Sequence, residues 1–177
     1  MKNKIYIITK NDKEYPESLK YITNPPEKLY VKGNVDLLKQ KILAIVGSRK
    51  CTEYGGIIAK QMACELGEFG ITIVSGLACG IDTEAHLGAT NSKGNTIAVL
   101  GSGIDNIFPE ENIELAKQIV NSGGLIVSEY EPNEKWQSKY FPIRNRIVSG
   151  LSIRSVDNRS RIQEWSKFDS NYSKKTK

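Results

Sequence analysis

Between residues 41 and 128 the chain repeats one pattern at intervals of about 25 to 30 residues: a short apolar run, a loop of small residues, then a stretch with apolar positions at helical spacing. That is the rhythm of βαβ units. The pattern predicts strands at Ile42 to Val46, Ile71 to Val74, Thr96 to Leu100 and Leu125 to Val127, each apolar enough to be covered on both faces. The first helix is expected from Glu53 to about Glu68, with Thr52 as N-cap, Gly70 as the stop, and a core stripe of Ile58, Met62, Leu66 and Phe69. A second helix is expected after an Asp82 N-cap, carrying Ala85, Leu87 and Ala89. The third covers about Glu111 to Ser122 with Ile113, Ala116, Ile119 and Val120, and Gly123-Gly124 ends it. Before residue 41, Tyr15-Pro16 and Pro25-Pro26 punctuate a segment ending in Leu29-Tyr30-Val31-Lys32-Gly33, one more strand leading to a turn. The expectation is an α/β fold with a mostly parallel sheet, residues 1–40 extending it.

In such a sheet, ligands bind beyond the carboxyl ends of the strands, so four loops are read together: Gly47-Ser48-Arg49, Ser75-Gly76-Leu77-Ala78, Gly101-Ser102-Gly103 and Ser128-Glu129. The second runs on to Gly80-Ile81-Asp82 at a helix start, where glycines admit a close ligand and free N–H groups favour an anion. Such loops also serve only to turn a chain. Three of the four combine glycine with a hydroxyl, and Arg49 adds a guanidinium that can fork onto a phosphate. Together they suggest an anion pocket. Gly101-Ser102-Gly103 lacks the third glycine of a dinucleotide fingerprint, and no P-loop is present.

Charge adds a restriction. The formal net charge is +5, but residues 151–177 hold seven Lys/Arg against three Asp/Glu, leaving the first 150 residues at +1. Any affinity of the main body for nucleic acid must come from local placement of charge. The basic and aromatic run from Lys135 through Trp136, Lys139, Tyr140 and Phe141 to Arg144, Asn145 and Arg146 is one such place. Lys and Arg there suit a sugar-phosphate backbone and the rings suit unpaired bases. The same run also reads as a solvated loop entering a helix whose Ile143 and Ile147 face the core.

Three cysteines, Cys51, Cys64 and Cys79, show no paired spacing and read as reduced, small buried packing residues. His86 is the single histidine, which restricts triad or metal chemistry and favours a packed or capping role. Neither a catalytic group nor a metal or cofactor is expected. The N-terminus lacks a signal-peptide pattern and no run approaches a membrane span, so a cytoplasmic protein is expected.

The ordered segments GSRKCTEYG, SGLACGID followed by AH, TIAVLGSGID, SEY and FPIRNRIVSGLS resemble the DNA-processing protein A (DprA/Smf) family over roughly residues 15 to 152. The resemblance implies an extended Rossmann-like three-layer domain that binds single-stranded DNA, dimerises, and helps load the RecA recombinase in natural transformation, competence and DNA recombination, without catalysis. It implies that Gly47, Ser48 and Arg49 form one wall of a phosphate pocket, with backbone contacts from Ser75, Gly76 and Ala78. Arg144, Asn145 and Arg146 would line or brace the same groove, beside Lys139 and Phe141. Arg49 is the residue expected to touch phosphate directly, while Arg146 is equally suited to a structural ion pair.

After Ser152 the family pattern calls for an apolar strand and an EA..KSG motif, but residues 153–177 are polar and basic. The expected division is therefore an extension over 1–40, a partial core over 41–152, and a non-native or disordered tail over 153–177, with the fold incomplete and a homodimer surface that the truncation can remove. A shifted reading frame accounts for the change: permissible codons for Val156 to Ser166, read one base later, give Leu-Ile-Ile-Glu-Ala-Gly-Tyr-Lys-Ser-Gly. Two other readings stay open, a nucleotide phosphoribohydrolase of the lysine-decarboxylase-like type, whose PGGxGTxxE signature is absent, and the inactive product of a decayed gene.

Overall fold

The computed structural model describes residues 4–92 and 95–152. The tail expected over 153–177 and the reading-frame hypothesis lie outside the described residues. Six strands form one sheet: β1 (Ile5–Thr9), β2 (Lys28–Gly33), β3 (Ile42–Ala44), β4 (Thr72–Ser75), β5 (Thr96–Val99) and β6 (Leu125–Ser128), in the order β1-β2-β6-β5-β4-β3. The three pairings among β3, β4, β5 and β6 are parallel, while β1 with β2 and β2 with β6 are antiparallel. The sheet is thus mostly parallel, as the apolar runs predicted. β1 has no counterpart in the sequence reading; of its residues only Ile8 is buried, while Tyr6, Ile7 and Thr9 are exposed, so it is not a strand covered on both faces.

Helices cover both faces. On one side, α4 (Tyr140–Leu151) packs Ile147, Val148 and Leu151 against Ile42, Val74, Ile97 and Val127, and Leu19 and Leu37 of two 3-10 turns close this core. On the other, α3 (Ile113–Asn121) lays Leu115, Ala116, Ile119 and Val120 on Ala98 and Ile126, and α2 (Ile81–Thr90) sets Ala85 and Ala89 against Ile73. The three layers follow from strands apolar on both faces, which must be covered twice.

α1 (Glu53–Glu68) begins at the expected cap, the Thr52 hydroxyl accepting from the Gly55 amide at 3.1 Å, and is followed by Gly70 at φ +74°. Its inward face matches the expected one only in part: Leu66 packs half-buried against the core and Ile58 is half-buried. Gly56, Ala59, Ala63 and Gly67 are buried, whereas Met62 is exposed and Phe69 is 83% exposed. The small residues let α1 lie close to α2: a Cβ on Gly88 would strike the Lys60 carbonyl and sit 3.0 Å from the Ala63 methyl.

Three more expectations need correction. β3 is buried at Ile42 but only partly so at Leu43 and Ala44, because a margin strand has a neighbour on one side only. On α4, Ile143 is exposed, and Arg144 takes the inward place at the spacing shared with Ile147, Val148 and Leu151. Cys79 is exposed, where a buried packing thiol was expected.

Candidate nucleic-acid interface

The loops meet at the carboxyl ends of β3 to β6, but most of their polar groups are engaged within the protein. The loop after β3 lies across the start of α2. Gly47 leaves no room for a Cβ against Ile81, the Ile81 amide donates to the Ser48 carbonyl at 3.2 Å, and Gly80, at φ +80°, sits against the Ser48 and Arg49 carbonyls. Gly47, Ser48, Arg49 and Lys50 are thereby held out in solvent.

The loop after β4 is closed on itself. The Gly76 and Ala78 amides donate to one oxygen of Asp82 at 3.0 and 3.4 Å, so a carboxylate of the chain occupies the donors expected to meet a phosphate. Asp82 is not the N-cap of α2; Gly80 is, without a side-chain bond. Ser75 is fully buried and donates its hydroxyl to the Ile45 carbonyl at 2.6 Å. Asn112 donates to the Leu77 carbonyl at 2.9 Å, holding buried Leu77 at φ +59°, a region costly for a residue with a Cβ. Burial pushes the Asp82 carboxyl up, and the Arg144 guanidinium nearby opposes that shift.

The loops after β5 and β6 are largely committed as well, although the buried Ser102 hydroxyl has no partner among the described residues. The Gly103 amide donates to the Glu134 carbonyl at 2.8 Å, and Ser128 donates its hydroxyl to the Ser102 carbonyl at 2.6 Å. Gly101 is needed for packing, since a Cβ there would lie 2.7 Å from the Phe141 ring.

The two arginines of α4 both turn inward, for different partners. Arg144 is 3% exposed and donates through Nη1 to the carbonyls of Gly76 and Val99. A Cβ on Gly76 would lie within 2.7 Å of three guanidinium atoms, which is why glycine stands there. Burial draws the Arg144 pKa down to about 10, with Asp82 acting the other way. Arg146 forks onto Glu129 at 2.7 and 2.6 Å and donates to the Asn24 carbonyl at 2.9 Å. It is the structural ion pair that the sequence offered as one of two roles.

What faces solvent is a cationic and aromatic rim. The Arg49 guanidinium lies 5.1 Å over the Phe141 ring. Phe141 neighbours Phe108 and Trp136, and Phe108 and Trp136 stack with centroids 4.3 Å apart. Lys139 reaches over Tyr140, and Asn145, exposed, accepts from Arg144 Nε at 3.3 Å. Phe108 was not singled out from the sequence; it lies 28 residues before Trp136, and nothing local announces the stack.

A doubly wound α/β domain with an exposed cationic loop and stacked rings at the carboxyl end of its sheet is the class of protein these observations define. The family model described as DNA recombination-mediator protein A matches residues 6–157, and the chain belongs to that family. It is 42% identical to DNA processing protein DprA of Bacillus subtilis over 80% of this chain and 48% of that protein, and 45% identical to DprA of Streptococcus pneumoniae over 77% and 48%. The chain thus spans about half the length of these curated relatives. Among solved structures, it resembles S. pneumoniae DprA with a TM-score of 0.78 and 41% identity, covering 85% of this chain and 53% of that one. It also resembles Helicobacter pylori DNA processing protein A, whose structure addresses that protein's single-stranded DNA binding mode, with a TM-score of 0.75 and 33% identity over 86% and 68%.

Proposed function

We propose that this chain binds single-stranded DNA, with the exposed loop Gly47-Ser48-Arg49 taking a phosphate and Lys139, Phe141 and Asn145 flanking it. The observation that carries the reading is Arg49, an exposed guanidinium positioned over Phe141 in a member of the recombination-mediator family. Ser75, Gly76, Ala78, Arg144 and Arg146 act on this reading from behind, shaping the loop ends, since their polar groups are bonded within the protein. Delivery of RecA to DNA, action as a homodimer and a cytoplasmic setting belong to the same proposal. Binding without catalysis is supported by the commitment of the nearby carboxylates, Asp82 to loop amides and Glu129 to Arg146. No helix among the described residues is long and apolar enough to cross a membrane.

Titrating labelled oligo-dT with the full chain across a salt series tests this. Affinity falls as salt rises, and Arg49→Ala weakens binding and reduces the magnitude of the log–log salt slope by about 0.7, the value for one phosphate contact on a single strand. Absence of binding at low salt, or binding indifferent to Arg49, overturns the proposal.

A further inference from the structure

We propose that the β3 margin of the sheet is an acceptor site for one further strand supplied by a second polypeptide, lying parallel to β3 and apolar on both faces. β3 opens the run Ile42-Leu43-Ala44-Ile45-Val46, which is apolar at every position as the central strands are, yet only Ile42 is buried and Val46 is 46% exposed. Among the described residues β3 pairs with β4 alone, so its outer side is left without a ladder partner. Both covering layers also stop short here. On one face, α1 sets Gly56, Ala59, Ala63 and Gly67 inward, close to α2, and Leu66 packs with Ile45, Ile71 and Ile73 at the β3–β4 side of the sheet. Ile58, Met62 and Phe69 continue the Leu66 stripe at helical spacing but lie further round the helix, away from α2, which points them past β3. Met62 is 48% and Phe69 83% exposed, so large apolar side chains overhang an edge with no strand beneath them. On the other face, a cavity of about 590 Å³ opens where α4 ends, lined by Tyr15, Pro16, Leu38, Ile42 and Leu151.

One occupant satisfies all three features. A strand apolar on both faces would extend the ladder, sit under the α1 stripe and close the cavity on the α4 side. Its direction follows from α4: Leu151 and Ser152 line the cavity together with Ile42, the first residue of β3, so a chain entering there runs in the same sense as β3. The chain's own sequence from Ile153 to Arg161, Ile-Arg-Ser-Val-Asp-Asn-Arg-Ser-Arg, would set a charge on each face of a strand and does not suit the place. A second copy related by a two-fold axis would bring its β3 up antiparallel. This chain matches 48% of each of two curated relatives, and the Leu-Ile-Ile run that the shifted reading frame specifies has the required chemistry. The partner indicated is therefore a polypeptide that begins with such a run.

The test titrates a labelled peptide, Leu-Ile-Ile-Glu-Ala-Gly-Tyr-Lys-Ser-Gly, with the full chain, beside a control peptide carrying Lys at both Ile positions. The parent chain binds the first peptide and not the control. Met62→Asp and Phe69→Asp, both at exposed positions, each weaken binding about 10- to 100-fold, the change expected when one apolar side chain loses its burial. Hydrogen exchange on the unaltered chain supplies a reading that needs no variant: saturating peptide protects Ile42 to Ala44 and leaves Thr96 to Val99 as before. The inference is overturned if the peptide does not bind, if the Lys control binds equally, if binding ignores both substitutions, or if exchange at Ile42 to Ala44 is unchanged at saturation. Self-association of the chain that Phe69→Asp abolishes assigns the margin to a second copy and likewise overturns it.

Discussion

His86 shows how tightly one side chain can be tied to folding. It is fully buried with Nδ1 2.8 Å from the Thr96 hydroxyl, which itself donates to the Ile73 carbonyl, so Nδ1 carries the proton and Nε2 has no hydrogen-bond partner among the described residues. Burial first, and the Arg144 charge second, push its pKa down to about 3. The unfolded chain takes up a proton near pH 6.5 while the folded one refuses it, so the stability this group contributes is complete above that pH and is lost as pH falls toward 3. Urea unfolding at pH 5.5 should give a stability about 1.4 kcal/mol below that at pH 7.5, and His86→Gln should remove most of the difference. Equal losses in both proteins would mean that another group is responsible. Asp82 and Arg144 make a related point about the site. Neither amino acid type reveals whether it will meet a ligand or another part of the chain, and here both meet the chain.

For the elements, apolar runs bounded by glycine locate the strands well, and caps locate α1 at both ends. Which face of a helix turns inward is harder to read. The larger apolar residues of α1 suggested one stripe, of which Leu66 does pack on the core, yet the fully buried positions are Gly56, Ala59, Ala63 and Gly67, because closeness to α2 requires small side chains there while Met62 and Phe69 face outward. Phe69→Ser should therefore change stability by less than about 0.5 kcal/mol, while Ala63→Leu should cost about 1–3 kcal/mol by overpacking. Denaturant midpoints with unchanged slopes would check both, and the reverse order would restore the stripe of large residues as core. The same reasoning applies to α4, where a charged residue holds an inward position because two backbone carbonyls are waiting for it.

Across the whole molecule, sheet order separates a well-protected centre from a weaker margin. β5 has neighbours on both sides and every residue buried, whereas among the described residues β3 pairs only with β4 and is partly exposed. Hydrogen exchange should reflect this, with peptides covering Ile42 to Ala44 exchanging ahead of those covering Thr96 to Val99. Equal protection would show that the β3 margin is covered by something else. The main body's net charge of +1 gives little attraction at a distance, so the placement of Arg49 over Phe141 and Lys139 over Tyr140 matters more than the number of cations.

Much was legible before any coordinates: the βαβ rhythm, five of the six strands, the caps of α1, and the family from its ordered motifs. These follow from neighbours in sequence, since a strand covered twice must be apolar along its length and a helix end must satisfy its own amides. Contacts made across long separations were not legible. Arg144 finds Gly76 across 68 residues, Arg146 finds Glu129 across 17, and Trp136 finds Phe108. Local pattern specifies that a charged or aromatic group exists, but its partner is chosen by the folded chain. Tertiary packing thus decided which cations were consumed as structure and which were left at the rim, because burial makes an unpaired charge costly and forces each inward arginine onto an acceptor.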